Sequence, residues 1–175
     1  MLPTLVGNDV LEGIAETAKR SLPGCFIEVG VYQGGTGWLL AQIAEMQGRE
    51  IYLYDTFTGI PYTDHEKGDI HNVGDFGDTN VEVVRAAIPY AHVIQGIFPQ
   101  SAVEMGPIAF VHLDCDQYQS YKDSFEYLLP KCQSGTILWF DDFGCLTGAD
   151  KAVLETFPVE KLIRYTNCNK TFVRI

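Results

Sequence analysis

Two apolar runs of strand length in this chain each stop on a pair of carboxylates. The first, Ile108-Ala-Phe-Val-His-Leu, leads into Asp114-Cys-Asp116; the second, Thr136-Ile-Leu-Trp-Phe, leads into Asp141-Asp142. Gln117 to Leu129 between them reads as a helix. A strand–helix–strand crossover of this length suits a parallel βαβ unit, whose strands finish at the same edge of the sheet. Up to four carboxylates would then share one rim. Like charges held that close raise one another's pKa unless a cation or a shared proton offsets them. Mg²⁺ and Ca²⁺ take oxygen ligands such as Asp, so a hard divalent cation is the simplest resolution. The competing reading is structural, because an Asp after a strand can also cap the next turn or helix. Asp116 stands where it could cap the Gln117–Leu129 helix.

The elements that must position these acids can be read from periodicity and punctuation. Asp9 to Ser21 reads as a helix, with Val10, Leu11, Ile14 and Ala18 sharing one face, and Leu22-Pro-Gly24 stops it. Cys25 to Gly30 is a short buried strand that enters a glycine-rich bend, Gly30-Val-Tyr-Gln-Gly34-Gly35-Thr-Gly37. Trp38 to Met46 continues as an apolar helix, and Glu50 to Asp55 is a second strand ending on an acid. Tyr62 to Asp78 is irregular and long for a compact domain, which makes residues 62–78 a candidate lid. Its His65 and His71 could each serve as a base, although a loop histidine is more often simply solvated. Thr79 to Ile88 looks helical, His92 to Phe98 a third strand, and Pro99 to Met105 a short helical turn. After the βαβ unit come a helix, Asp150 to Phe157, and strands at Lys161–Tyr165 and Thr171–Ile175 about a hairpin-like turn. His112, Trp38 and Trp139 read as packed core residues, whereas Tyr32 and Phe57 are better placed to touch a ligand.

Alternating strands and helices with a terminal hairpin predict a three-layer α/β/α, Rossmann-like fold. Its seven-stranded sheet would be mostly parallel, with one antiparallel C-terminal strand. The 175 residues suit one domain, 1–175, with an N-terminal helix within 1–24 and no repeat or linker. The net charge of −11 argues against nucleic acid or an anionic membrane as partner, since both need a basic face. The five cysteines are scattered without a Cys-x-x-Cys, so neither zinc nor a disulfide framework is expected. Cys115 and Cys145 lie near the acidic edge but belong to no Cys–His motif. There is no signal-peptide pattern and no apolar run of about 18 residues, so a cytoplasmic location is expected.

Ligands of open α/β sheets sit at the carboxyl ends of the strands. Glu28, Asp55, Asp114, Asp116, Asp141 and Asp142 fall at or near such ends. The glycine bend lets a ligand approach the backbone, but residue 32 is Tyr, so the dinucleotide fingerprint Gly-x-Gly-x-x-Gly is absent. No Gly-Lys-Ser/Thr comes after it, so a phosphate-binding loop is absent too. The helix after the bend could accept a carboxylate at its N-terminus, and Asp55 could accept from ribose hydroxyls. A nucleoside with a carboxylate tail and no phosphate describes S-adenosylmethionine.

Glu28-Val-Gly-Val-Tyr-Gln-Gly34-Gly35, Asp55-Thr-Phe-Thr-Gly-Ile-Pro61, Leu113-Asp-Cys-Asp-Gln-Tyr-Gln-Ser120 and Asp141-Asp-Phe-Gly144 together resemble the macrocin O-methyltransferase (TylF/MycF-type) family. They come in that family's order and span roughly residues 26 to 157. The resemblance implies a class I methyltransferase fold, S-adenosylmethionine as methyl donor and Mg²⁺-dependent, or otherwise divalent-cation-dependent, O-methyl transfer. It places the methionine part of the cofactor along Glu28 to Gly35, including Gly30, Tyr32, Gly34 and Gly35, and the ribose on Asp55; Phe57 and Gly96 are further candidate cofactor contacts. The metal would sit on Asp114, Asp141 and Asp142. The family's better-known members carry a longer N-terminal part than precedes the first helix here, which weakens the transfer of their antibiotic-sugar acceptor; a sugar or secondary metabolite is still the kind of acceptor implied.

The chemistry fits the residue types. Methyl transfer is an in-line displacement from a sulfonium, so the protein mainly positions the acceptor and helps deprotonate it. A metal bound to vicinal hydroxyls would orient them and lower the pKa of the attacking oxygen. Asp114 could take the proton, or relay it to Asp116 or a water. The partner expected is a small-molecule hydroxyl acceptor: a sugar, polyketide, peptide or catechol-like compound. A homodimer is what the resemblance suggests. Asp114-Cys-Asp116 also mimics the Asp-x-Asp of haloacid-dehalogenase-type phosphohydrolases and of sugar-nucleotide transferases, and a non-catalytic cofactor-binding module is a further alternative.

Overall fold

Four short, mostly apolar runs, residues 25–29, 51–55, 108–113 and 136–140, are buried from end to end or nearly so and make the middle of the molecule. A computed structural model describes residues 2–175. Strands β1 (Cys25–Val29), β2 (Ile51–Asp55), β3 (His92–Gln95), β4 (Ile108–Leu113), β5 (Cys132–Phe140), β6 (Leu162–Tyr165) and β7 (Lys170–Arg174) form one sheet in the order β3-β2-β1-β4-β5-β7-β6. The first five run parallel, while β7 pairs antiparallel with both β5 and β6. The expected architecture is therefore found, with the antiparallel strand inserted between β5 and β6.

Successive side chains of a strand face opposite layers, and the core divides accordingly. Phe26, Ile51, Leu53, Phe110 and Trp139 join one cluster with Val10, Ile14, Leu40 and Ile43. These last belong to helices α1 (Asn8–Lys19) and α2 (Gly35–Gln47), and Val84 of α3 (Val81–Ala87) belongs to the same layer. Ile27, Tyr54, Val111, Leu138 and Phe140 face the other layer, with Tyr121 and Phe125 of α4 (Tyr118–Leu128) and Ala152 and Val153 of α5 (Thr147–Thr156). Parallel strands covered on both faces need apolar residues at every position, which is why they read as continuous runs.

Several boundaries differ from those expected. The third strand stops at Gln95 rather than Phe98, because Gly96 turns the chain at φ 143° while its N–H reaches the Asp55 carbonyl. Pro99–Met105 contains a turn and no helix. β5 starts at Cys132, four residues early, and α5 starts at Thr147 rather than Asp150.

The sheet reverses direction of growth between β1 and β4, and there the chain exits on opposite sides, opening a crevice at the strands' carboxyl ends. The two exits nearly touch. Gly30, at φ 91°, leaves β1 so close to β4 that a Cβ on it would overlap the Asp114 carbonyl. Gly48 also has positive φ, at 62°, but faces open space. Gly48→Ala should thus cost about 1 kcal/mol, the backbone strain alone. Gly30→Ala should cost more than about 3 kcal/mol, as overlap in a packed interior does. Urea unfolding of the two variants would measure the difference; equal losses would mean that the contact between the exits does not matter.

Candidate active site

Three of the sequence-flagged carboxylates do meet. Asp114 is the first residue beyond β4, and its N–H donates to the Val29 carbonyl at 2.9 Å. Asp141 is the first beyond β5, and its N–H donates to the Leu113 carbonyl at 2.9 Å. One oxygen of each of Asp114, Asp141 and Asp142 lies within 4.8 Å of the others. Oxygens around a common cation at 2.3–2.6 Å can be that far apart, and closing slightly would suit a smaller one. Asp142 is buried, with Oδ2 accepting the Asp116 N–H at 3.0 Å and standing 2.9 Å from the Tyr121 hydroxyl.

Electrostatics support the same grouping. Burial, then the charges of Asp141 and Asp142, push the Asp114 carboxyl well above the ordinary carboxylate range. Burial and the Asp142 and Asp141 charges raise Asp116 to about 8, and burial with Asp141 raises Asp142 to about 6. Asp141 goes the other way: burial opposes its ionisation, but His112 and Lys170 outweigh that and hold it below its usual value. Lys170 Nζ stands 3.1 Å from Asp141 Oδ2 and also donates to the Asp141 carbonyl. Such a set of crowded, incompletely compensated oxygens is a donor set that fits a hard cation.

Beneath this rim lies a polar row that sequence reading missed. Glu28, His112 and Trp139 are register partners across β1, β4 and β5. Both Glu28 and His112 are fully buried. His112 Nδ1 is 3.0 Å from Glu28 Oε1, and Nε2 faces Asp141 Oδ1 at 3.7 Å. Burial disfavours a charged His112, yet Asp141 and Glu28 together raise it to about 10. Burial likewise raises Glu28, despite its bond to His112. Reading His112 as packed core captures half of the matter: it is buried, but as a link between two acids. The sequence shows a lone Glu and a lone His in two apolar runs 84 residues apart, and their pairing follows only from the strand register.

A cavity of about 240 Å³ opens over the switch point, with Glu28, Gly30, Tyr32, Gly35, Asp55 and Gly96 among its walls and Asp114, Asp116 and Asp141 at one end. Asp55 Oδ2 accepts the Val31 and Tyr32 amides at 2.7 and 2.8 Å, and Oδ1 accepts the Phe57 amide at 2.7 Å. The second strand's acid therefore ties the glycine bend to β2 as well as facing the cavity. Gly34 and Phe57 do not line it. Gly34 lies against Leu2 and Val84, and Phe57, at φ 53°, buries its ring in the α1–α2 core layer. No motif signals that residues 3–6 form another wall, with Pro3 and Thr4 pressed so closely on Gly35 that no Cβ would fit.

The loop of residues 62–78, whose Phe76 lines the cavity, is tied to α4 through Asp69. Asp69 is buried, and its Oδ1 accepts the Tyr118 N–H at 2.8 Å, which makes it the cap of α4. Asp116 does not cap that helix; its own backbone sits at φ 58°, and its carboxylate faces the cavity. His65 Nδ1 is turned to the Asp69 carbonyl at 2.8 Å. His71 is the loop histidine that reaches the rim, with Nε2 3.5 Å from Asp116 Oδ1 and its ring against Phe76.

Residues 4–165 match the family model described as macrocin-O-methyltransferase (TylF). Among curated relatives, a tetracenomycin-type rhamnosyl 4'-O-methyltransferase of Streptomyces olivaceus is 24% identical and demethyldecarbamoylnovobiocin O-methyltransferase of Streptomyces niveus 25% identical. Each alignment covers 80% of this chain but only 62% of the relative, so the chain spans under two thirds of their length. The solved O-methyltransferase NovP superposes with a TM-score of 0.84 at 22% identity, covering 98% of this chain and 81% of NovP. CalS11, described as a TDP-rhamnose 3'-O-methyltransferase, gives 0.65 at 18% identity, covering 94% and 76%. The Podospora anserina methyltransferase PaMTH1, solved with S-adenosylhomocysteine (SAH) bound, gives 0.64 at 13%, covering 97% and 79%. At these identities the superpositions speak for the fold. Among the described residues, no helix is long and apolar enough to cross a membrane.

The raised carboxyls make stability depend on pH. Asp142 at about 6 and Asp116 at about 8 hold protons in the folded state that the unfolded chain has released above its value of 3.8. His112, raised to about 10 from 6.5, acts in the same direction at higher pH. Stability must then fall as pH rises from 5 to 8. Thermal melts in a chelator should show Tm declining over that range, and Asp142→Asn should flatten the decline. A Tm that climbs from pH 5 to pH 8 would contradict this description of the rim.

Proposed function

Because the chain belongs to the macrocin-O-methyltransferase (TylF) family, we propose that it is an S-adenosylmethionine-dependent, divalent-cation-assisted O-methyltransferase acting on a small-molecule hydroxyl. The observation that carries this reading is the meeting of Asp114, Asp141 and the buried Asp142, the first two of which line a cavity whose other walls include the glycine bend. When bound, S-adenosylmethionine supplies an electrophilic methyl group, and Mg²⁺ or a similar cation acidifies and orients a hydroxyl. Asp114, Asp141 and Asp142 would hold the cation. Glu28, Gly30, Tyr32, Gly35, Asp55 and Gly96 would line the cofactor, with the remaining acceptor site of Asp55 available to a ribose hydroxyl.

Within that frame the chain's own residues have separable tasks. Lys170 and His112 keep Asp141 ionised, so a ligand oxygen is ready at neutral pH. Asp116, raised to about 8 and facing the cavity, is suited to receive and release a proton near neutrality. Asp114 can take the same proton directly. Tyr62 and Ser120, 3.1 Å apart through their hydroxyls, help to hold the loop against α4 at this end. A single domain, 1–175, carries these parts. The phosphohydrolase and sugar-nucleotide transferase alternatives lack support. Their Asp-x-Asp would lie on the fourth strand, and among the described residues no cationic side chain lines the cavity to hold a phosphate.

Isothermal calorimetry with SAH, with and without Mg²⁺, tests the proposal. Binding in the micromolar range is expected, and none at high micromolar cofactor would sink it. Asp142→Ala should lower turnover roughly 100-fold or more, a metal-site loss of several kcal/mol, while SAH affinity changes little. Equal collapse of both would mean that the metal and cofactor ends of the cavity are not distinct.

A further inference from the structure

Consecutive residues leave a strand toward opposite faces, so Asp141 and Asp142 cannot both meet one cation unless the chain bends after β5. It does bend: the Asp142 carbonyl accepts the Cys145 and Leu146 amides at 2.9 and 3.0 Å. The bend alone does not fix the carboxylate, which can still turn about its own side-chain torsions. Two donors converge on it, both at Oδ2: the Asp116 N–H at 3.0 Å and the Tyr121 hydroxyl at 2.9 Å. They fill the acceptor sites of that oxygen, and among the described residues no donor reaches Oδ1. The Tyr121 hydroxyl is also 2.9 Å from the Leu113 carbonyl, but that carbonyl already accepts the Asp141 N–H at 2.9 Å. With one proton to give, the hydroxyl favours the charged acceptor, where a hydrogen bond is about twice as strong. The phenol itself has little freedom. Tyr121 is fully buried in the α4 layer, with its ring edge-on to Phe125 and Phe140 at centroid distances of 5.8 and 6.4 Å. A side chain locked by packing in this way aims its polar end at one place.

Resting on the divalent-cation reading above, we propose that Tyr121 is a positioning residue of the metal site. Its hydroxyl, together with the Asp116 amide, holds Asp142 by Oδ2 and leaves Oδ1 to meet the cation beside Asp114 and Asp141. Tyr121 does not line the cavity, so it acts through Asp142. Outer groups that hydrogen-bond a ligating carboxylate typically contribute about 10- to 100-fold in metal affinity. The rival role is packing alone, with the hydroxyl satisfied in the core and indifferent to the cation.

Tyr121→Phe removes the hydroxyl and keeps the ring. The whole chain is titrated with Mn²⁺ alone, the free ion being read by electron paramagnetic resonance. The Kd for Mn²⁺ should rise about tenfold or more in Tyr121→Phe, and the rise in Tm on adding Mn²⁺ should shrink with it. SAH affinity measured without metal should not change. Phe125→Leu loosens the packing around the Tyr121 ring but keeps the hydroxyl. It should lower Tm and leave the Mn²⁺ affinity as in the wild-type chain. Equal Mn²⁺ affinity in the wild type and Tyr121→Phe, an equal loss in Phe125→Leu, a parallel loss of SAH affinity, or a Tyr121→Phe chain that does not fold would each overturn the inference and leave the cation reading standing. A wild-type chain that binds no Mn²⁺ would overturn the cation reading and this inference with it.

Discussion

The ladder of β4 and β5 continues one residue beyond each strand, and the rest of the site depends on those two backbone hydrogen bonds. They fix Asp114 against Val29 and Asp141 against Leu113. Neighbouring strands lie about 4.7–4.9 Å apart. The 4.8 Å spread of the three carboxylate oxygens is of the same size, so the spacing of the donor set is inherited from the sheet. Asp142, one residue farther on, is held instead by the Asp116 N–H and the Tyr121 hydroxyl. Gly30 completes the arrangement, because any side chain there would push β1 and β4 apart at the point where their exits meet.

Charge is managed in two ways along the same edge. Asp141 is offset by Lys170 from β7 on one side and by His112 on the other, and His112 is in turn balanced by Glu28. Among the described residues, Asp114, Asp116 and Asp142 have no such ionic partners beyond His71 at Asp116, and their raised values reflect that. The antiparallel strand thus has a chemical role as well as a topological one. It is β7 that brings a lysine to the carboxyl edge of a parallel sheet.

Much of this is legible in the sequence, for reasons that particular residues illustrate. The β4 and β5 runs are apolar almost throughout and end abruptly on acids, so both the strands and the placement of Asp114, Asp141 and Asp142 can be read. The four motifs are enough to indicate the family. Phe57 cannot be read correctly, because its ring direction is set by a positive φ and by core packing. Local rules assign the capping of α4 to the adjacent Asp116. The actual cap, Asp69, lies 49 residues from Tyr118 and has no local signature. Likewise His112 sits in a run whose neighbours are all apolar, and only the strand register reveals Glu28 beside it.

The same long-range cap has a mechanical consequence. Asp69 joins the overhanging loop to the first turn of α4, and that helix also carries Ser120, against Tyr62 of the loop, and Tyr121, against Asp142. Lifting the loop away would uncover the Tyr118 amide and strain the turn from which Tyr121 projects. The loop's anchorage and the setting of Asp142 are therefore joined through one helical turn.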